Sequence, residues 1–115
     1  MLKSVFRSRR VFALLALTAA LLSFSAVAAF ASGSKSVNVK DNFYSVKKLT
    51  IGRGARVTWH WHAFLRHNVV VRSGPSKFRS RTQVRGSFSH RFTRAGTYHL
   101  YCTLHPYMKM TVVVR

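Results

Sequence analysis

From Val37 to the C-terminus, apolar and polar residues alternate with a period of two, and no stretch holds a helical period for three turns. The runs SVNVK, KLTI, ARVTWHW, HNVVV, SFSHRF, TYHLYC and MTVVV are divided by turn signals at Gly52, Gly54, Gly74-Pro75, Gly86 and Gly96. Seven or eight short strands joined in this way predict an all-β fold, a small antiparallel Greek-key sandwich or barrel. Within RVTWHW the alternation sends Val57, Trp59 and Trp61 to one face and Thr58, His60 and His62 to the other, so the tryptophans are expected in the core. In GTYHLYC the same rule places Tyr98, Leu100 and Cys102 together, so Cys102 closes a strand pointing inward.

The strands do not begin at once. Lys3, Arg7, Arg9 and Arg10 precede an uncharged apolar run from Val11 to Phe30, and Ala29-Phe30-Ala31 supplies small residues suited to signal peptidase. Residues 1–31 are therefore read as an export signal peptide, with an uncleaved membrane anchor as the alternative. The run SRRVFAL from Ser8 also fits the twin-arginine pattern loosely. Residues 32–36, SGSKS, read as a flexible lead-in, and residues 37–115 as the folded domain. With 48% apolar and 13% aromatic residues, the chain can bury one small core and is not a disordered basic tail.

Charge narrows the chemistry. Twenty Lys and Arg stand against a single acidic residue, Asp41. That excludes a carboxylate acid/base pair, a calcium cage and a carboxylate-rich magnesium site. Removing the four leader cations takes the net charge from +19 to +15. Such a field attracts an anionic protein partner, acidic lipid head groups or an acidic cell wall, and weakens as salt rises. Nucleic acid would bind only loosely and without sequence preference, since no recognised reading element is present.

A lone Cys in an exported chain cannot form a disulfide within that chain. Taken alone, Cys102 reads as a buried small hydrophobe or an intermolecular bridge. Its neighbours change this. Cys102, His105 and Met108 give CxxHxxM, which puts thiolate, imidazole and thioether on one tight loop between strands. This soft donor set selects copper, and a second imidazole from His67, at the head of an apolar strand upstream, would complete a type 1 blue-copper site.

The segment TYHLYCTLHPYMKMTVVV resembles the C-terminal ligand loop of the cupredoxins, most closely the amicyanin and plastocyanin-like group. DNFYSVKKLTIGRGARVTW from Asp41, HNVVV from His67 and GSFSHRFTRAGTYHLYC from Gly86 extend the likeness over essentially the whole mature chain. The resemblance implies His67, Cys102 and His105 as equatorial copper ligands and Met108 as the long axial one. One departure is present. Short-loop relatives carry Gly two residues after the axial Met, where this chain has Met110. In longer-loop relatives the axial Met lies at the interval occupied here by Met110, which is the alternative axial ligand. The resemblance also gives Asn68 a supporting role, tying the two ligand segments together through Thr103.

His60 and His62 could chelate a second metal, but that face of an outer strand is expected to be solvated; His90 and His99 are likewise expected on the surface. Phe64, Pro106 and Tyr107 are expected to rim the exposed edge of His105. The functional expectation is a monomeric, mobile one-electron carrier, not an enzyme, working at the periplasmic or outer face of the membrane with a redox protein. The competing expectation is a copper carrier or scavenger that does not cycle redox state. A Cys-His hydrolase has little basis, since no hydrolase signature surrounds Cys102.

Overall fold

The computed structural model describes residues 33–115; the signal segment expected at residues 1–31 lies outside the described residues. Eight strands follow in order: β1 (Ser34–Lys40), β2 (Phe43–Tyr44), β3 (Lys48–Ile51), β4 (Arg56–His67), β5 (Val70–Ser73), β6 (Gln83–Arg91), β7 (Gly96–Tyr101) and β8 (Lys109–Val114). They form two four-stranded sheets, ordered β2-β1-β4-β6 and β3-β8-β7-β5. The fold is all-β, as the alternation predicts.

Two details differ from expectation. The sheets are mixed: β1 pairs with β4, and β3 with β8, in parallel, while the remaining pairs are antiparallel. Side chains alternate identically in both arrangements, so the residue pattern could not distinguish them. Moreover, β1 starts before Val37, because Ser34, Lys35 and Ser36 pair with Arg56, Val57 and Thr58. The stretch expected as a flexible lead-in is strand from Ser34 onward.

The inward faces meet in one core. Val57, Trp59 and Trp61 of β4 are buried, as are Leu100 of β7 and Met110, Val112 and Val114 of β8. Trp59 packs among Phe78, Phe88 and Phe92, with ring centroids 6.2, 5.9 and 6.4 Å away. Its indole N–H donates to the Met110 thioether at 3.3 Å, joining the two sheets through their interior. A buried indole finds a partner whenever one is in reach.

The pairing of β4 with β6 contains the irregularity that matters for the site. His62 faces Arg85, yet His67 faces Gln83, so β4 advances further than its partner and residues 63–66 bulge outward. A bulge leaves backbone groups without ladder partners. Here the Asp41 carboxylate accepts the Phe64 and Leu65 amides at 3.0 and 2.9 Å. Asp41 lies in the β1–β2 turn beside Asn42, which adopts the left-handed φ of 71° that Asn tolerates.

Candidate metal centre

Two separate segments supply the donors. His67 ends β4 just past the bulge; its carbonyl accepts the Trp61 indole N–H at 3.0 Å, which fixes the backbone there. The next carbonyl, that of Asn68, accepts the Tyr44 hydroxyl at 2.6 Å, and burial raises the pKa of that phenol, keeping it a donor. Cys102 follows β7 and opens a loop closed by its own backbone: Cys102 N–H to Met108 O at 3.0 Å, His105 N–H to Cys102 O at 3.2 Å, and Met108 N–H to His105 O at 2.8 Å. Cysteine, histidine and methionine are thereby held on one compact turn.

The donor atoms converge. Cys102 Sγ lies 3.9 Å from His67 Nδ1 and 3.8 Å from His105 Nδ1, and the three residues' donor atoms all fall within 4.8 Å of one another. With metal–sulfur and metal–nitrogen bonds of about 2.3 and 2.0 Å, an ion in a trigonal plane would separate sulfur from nitrogen by roughly 3.7 Å. The sulfur-to-nitrogen spacings therefore match one ion, the two imidazoles would close on it by a small ring movement, and the donors' softness suits copper. His67 and Cys102 are both 0% exposed, whereas His105 is half-buried.

The two methionines sit differently. Met110 pairs with Leu100 and faces the core, its sulfur engaged by Trp59. Met108 is also buried, but it precedes β8 and its backbone is bonded to both Cys102 and His105.

Asn68 bridges the two donor segments. Its carbonyl oxygen accepts the Thr103 amide at 2.9 Å, and its amide nitrogen donates to Thr103 Oγ1 at 2.7 Å and to Thr82 Oγ1 at 2.9 Å. Asn68→Ala removes all of these side-chain bonds. It is expected to cost about 1–3 kcal/mol of stability, read from thermal unfolding of the apo domain, and to speed copper loss to a chelator.

The other histidines stand apart from this cluster. His62 is exposed and His60 half-buried, on a strand that lies inside its sheet and not at the edge as expected. His99 is exposed. His90 is not a free surface residue: its ring stacks on Phe78 at 3.8 Å, and burial, aided by the Arg56 charge, lowers its pKa. Among the described residues, His67, Cys102 and His105 form the one group of three such donors.

Comparison with known proteins agrees with this geometry. Residues 31–115 match the family model of copper-binding proteins of the plastocyanin/azurin family. The chain belongs to that family and is a cupredoxin. This cupredoxin is 35% identical over 115 residues to amicyanin-alpha of Methylorubrum extorquens, covering 87% of this chain and 97% of that protein. It is 32% identical over 98 residues to amicyanin of Paracoccus denitrificans, covering 77% and 71%. A solved Cu(I) amicyanin variant superposes with a TM-score of 0.65 at 32% identity, over 76% of this chain and 88% of that one. A copper-containing nitrite reductase of Thermus scotoductus also superposes, with a TM-score of 0.62 at 28% identity, over 71% of this chain but only 22% of its own. The cupredoxin is a copper-binding electron carrier, and its cofactor is one copper ion.

One participant escapes sequence reasoning. Asp41 Oδ1 lies 2.9 Å from His67 Nε2, on the side of the ring away from Cys102. The His67 contact and the two bulge amides hold the Asp41 carboxyl well below its ordinary value, at about 2. Nothing in the spacing of residues 41 and 67 signals this contact.

Proposed function

We propose that His67, Cys102 and His105 hold copper in a trigonal plane with Met108 as the weak axial ligand, and that the protein shuttles single electrons between redox partners outside the cytoplasm. The observation that carries this reading is the convergence of one thiol and two imidazoles at single-ion spacing. Bound there, copper supplies a one-electron couple whose two states accept the same donors. The chain's own part is to keep those donors still. His67 and Cys102 are packed into the core, and Asn68 ties their segments together, so the pocket has little freedom to relax as charge changes.

His105 supplies the exit. Its ring is partly open to solvent, with Tyr107 edge-on at 6.0 Å, and Leu104 and Pro106 beside it in the loop are exposed. Phe64, 94% exposed on the bulge above His67, adds to the apolar surface at that end of the sandwich. A partner docking on this surface would exclude water around the imidazole edge. Burial of Cys102 and His67 argues for retaining the ion and against handing it over, so redox cycling is favoured over copper delivery. The likeness to the nitrite reductase covers a small part of that chain.

Location follows from the leader-like first 31 residues, and partner choice from charge. The reading is a monomer outside the cytoplasm whose field favours an anionic docking surface, with acidic membrane or cell wall as a secondary attraction. Because the less positive Cu(I) site is favoured by a net charge of +15, the reduction potential is expected to be high for this ligand set and to fall as salt screens the field. Redox titration at several ionic strengths checks this, and a low, salt-independent potential overturns it. The site itself is tested by adding Cu(II) to the mature domain: an intense thiolate-to-copper band in the red region supports it, and a colourless protein with a free thiol refutes it.

A further inference from the structure

A lone carboxylate among twenty cations would ordinarily be expected to pair with Lys or Arg. Asp41 does not. Among the described residues its one ion-pair contact is with His67, at 2.9 Å. Its Oδ2 takes the Phe64 amide, and its Oδ1 takes both the Leu65 amide and the His67 ring nitrogen. Three groups of one bulged segment are thus gathered onto a side chain from the β1–β2 turn, 26 residues upstream.

The chemistry of this contact has a definite direction. An ionised carboxylate only accepts, so His67 Nε2 must carry the hydrogen. In the neutral ring the lone pair then resides on Nδ1, the atom that faces Cys102 Sγ. The side chain of Asp41 is 30% exposed and that of His67 is fully buried, so the carboxylate seals the ring from solvent on its outer edge.

We propose that Asp41 is the positioning residue of the copper centre: it sets the tautomer and plane of His67, anchors the bulge that delivers that ring, and places the chain's single negative charge where it favours Cu(II). The proposal deepens the copper reading and rests on it for its redox consequence, but not for the tautomer. Partners of this kind orient ligand imidazoles and raise their basicity. In this protein the carboxylate also opposes the surrounding positive field, and so trims a potential that the field alone would push higher.

The first arm of the test needs no metal. In the ¹⁵N-labelled apo domain at pH 8, long-range ¹H–¹⁵N correlations should show His67 protonated at Nε2; a ring bare at Nε2 overturns the proposal. The second arm uses Asp41→Asn, which keeps the size and removes the charge, with Asp41→Glu as the rescue. In copper-loaded protein, Asp41→Asn should lower the ratio of Cu(II) to Cu(I) affinity about tenfold, a rise of about 59 mV for a one-electron couple, and perturb the thiolate-to-copper spectrum. Asp41→Glu should restore much of both. If Asp41→Asn lowers the melting temperature while potential and spectrum stay at wild-type values, Asp41 merely caps the bulge and the proposal fails. If that variant does not fold, the apo tautomer decides alone. A wild-type domain that binds no copper but shows the Nε2–H ring would sink the copper reading and leave the Asp41–His67 contact standing.

Discussion

Cys102→Ser is expected to give a folded domain that stays colourless in cupric salt. Cys102 directly follows β7 with its side chain fully buried in the core, so serine occupies nearly the same space. The two imidazole Nδ1 atoms that flank the sulfur at 3.9 and 3.8 Å lie beyond hydroxyl hydrogen-bond distance, so the serine must shift or bury its hydroxyl unpaired. The added polarity should therefore cost about 1–3 kcal/mol, visible as a modest drop in melting temperature. The electronic consequence is far larger. A serine hydroxyl does not ionise near neutrality and is a hard donor, so the soft anion that selects copper disappears. Any cupric ion left would be held by imidazole and water, with a weak spectrum and ready loss to a chelator. An intense band surviving in Cys102→Ser would show that another group is the chromophoric ligand.

Met108→Leu and Met110→Leu should separate cleanly. Both exchanges nearly conserve volume, so packing alone changes little in either. At Met110 the sulfur accepts the Trp59 indole N–H at 3.3 Å, and leucine leaves that buried donor without a partner. The expected result is a stability loss of about 1–3 kcal/mol with spectrum and potential essentially unchanged. At Met108 the backbone is tied into the Cys102–His105 loop, and loss of its thioether should raise the potential and alter the spectrum while barely moving the melting temperature. Chemical denaturation and redox titration of the pair check this. The opposite pattern, with Met110→Leu moving the potential, would transfer the axial role to the residue that the longer-loop spacing suggests.

What could be read in advance was whatever local spacing encodes. Alternation put Trp59 and Trp61 inside because a strand has only two faces, and both are buried. The interval from Cys102 to Met108 fits within one turn, so those side chains had to be neighbours whatever the rest of the chain did. Pairing partners were less accessible. The parallel contact of β1 with β4, and of β3 with β8, leaves the same period-two signature as an antiparallel one. The bulge at residues 63–66 was hidden too: ARVTWHW and HNVVV read as two separate strands with His67 heading the second, and only the register against β6 shows β4 continuing through the bulge to end at His67. Asp41 illustrates the limit best. Its scarcity was useful for excluding carboxylate chemistry, but its contact with His67 depends on a turn and a bulge whose meeting is a tertiary event. The indole–thioether bond of Trp59 and Met110, spanning 51 residues, was invisible for the same reason.

The placement of β3 has a consequence for how the pocket is assembled. Among the described residues its one strand neighbour is β8, and the loop bearing Cys102, His105 and Met108 immediately precedes that neighbour. Residues 48–51 thus find their strand partner only across a long sequence separation, and the turn before β8 is framed by the same pairing. The pocket is therefore fully framed only once β3 and β8 have met, a long-range pairing that local order in the turn of residues 102–108 cannot replace.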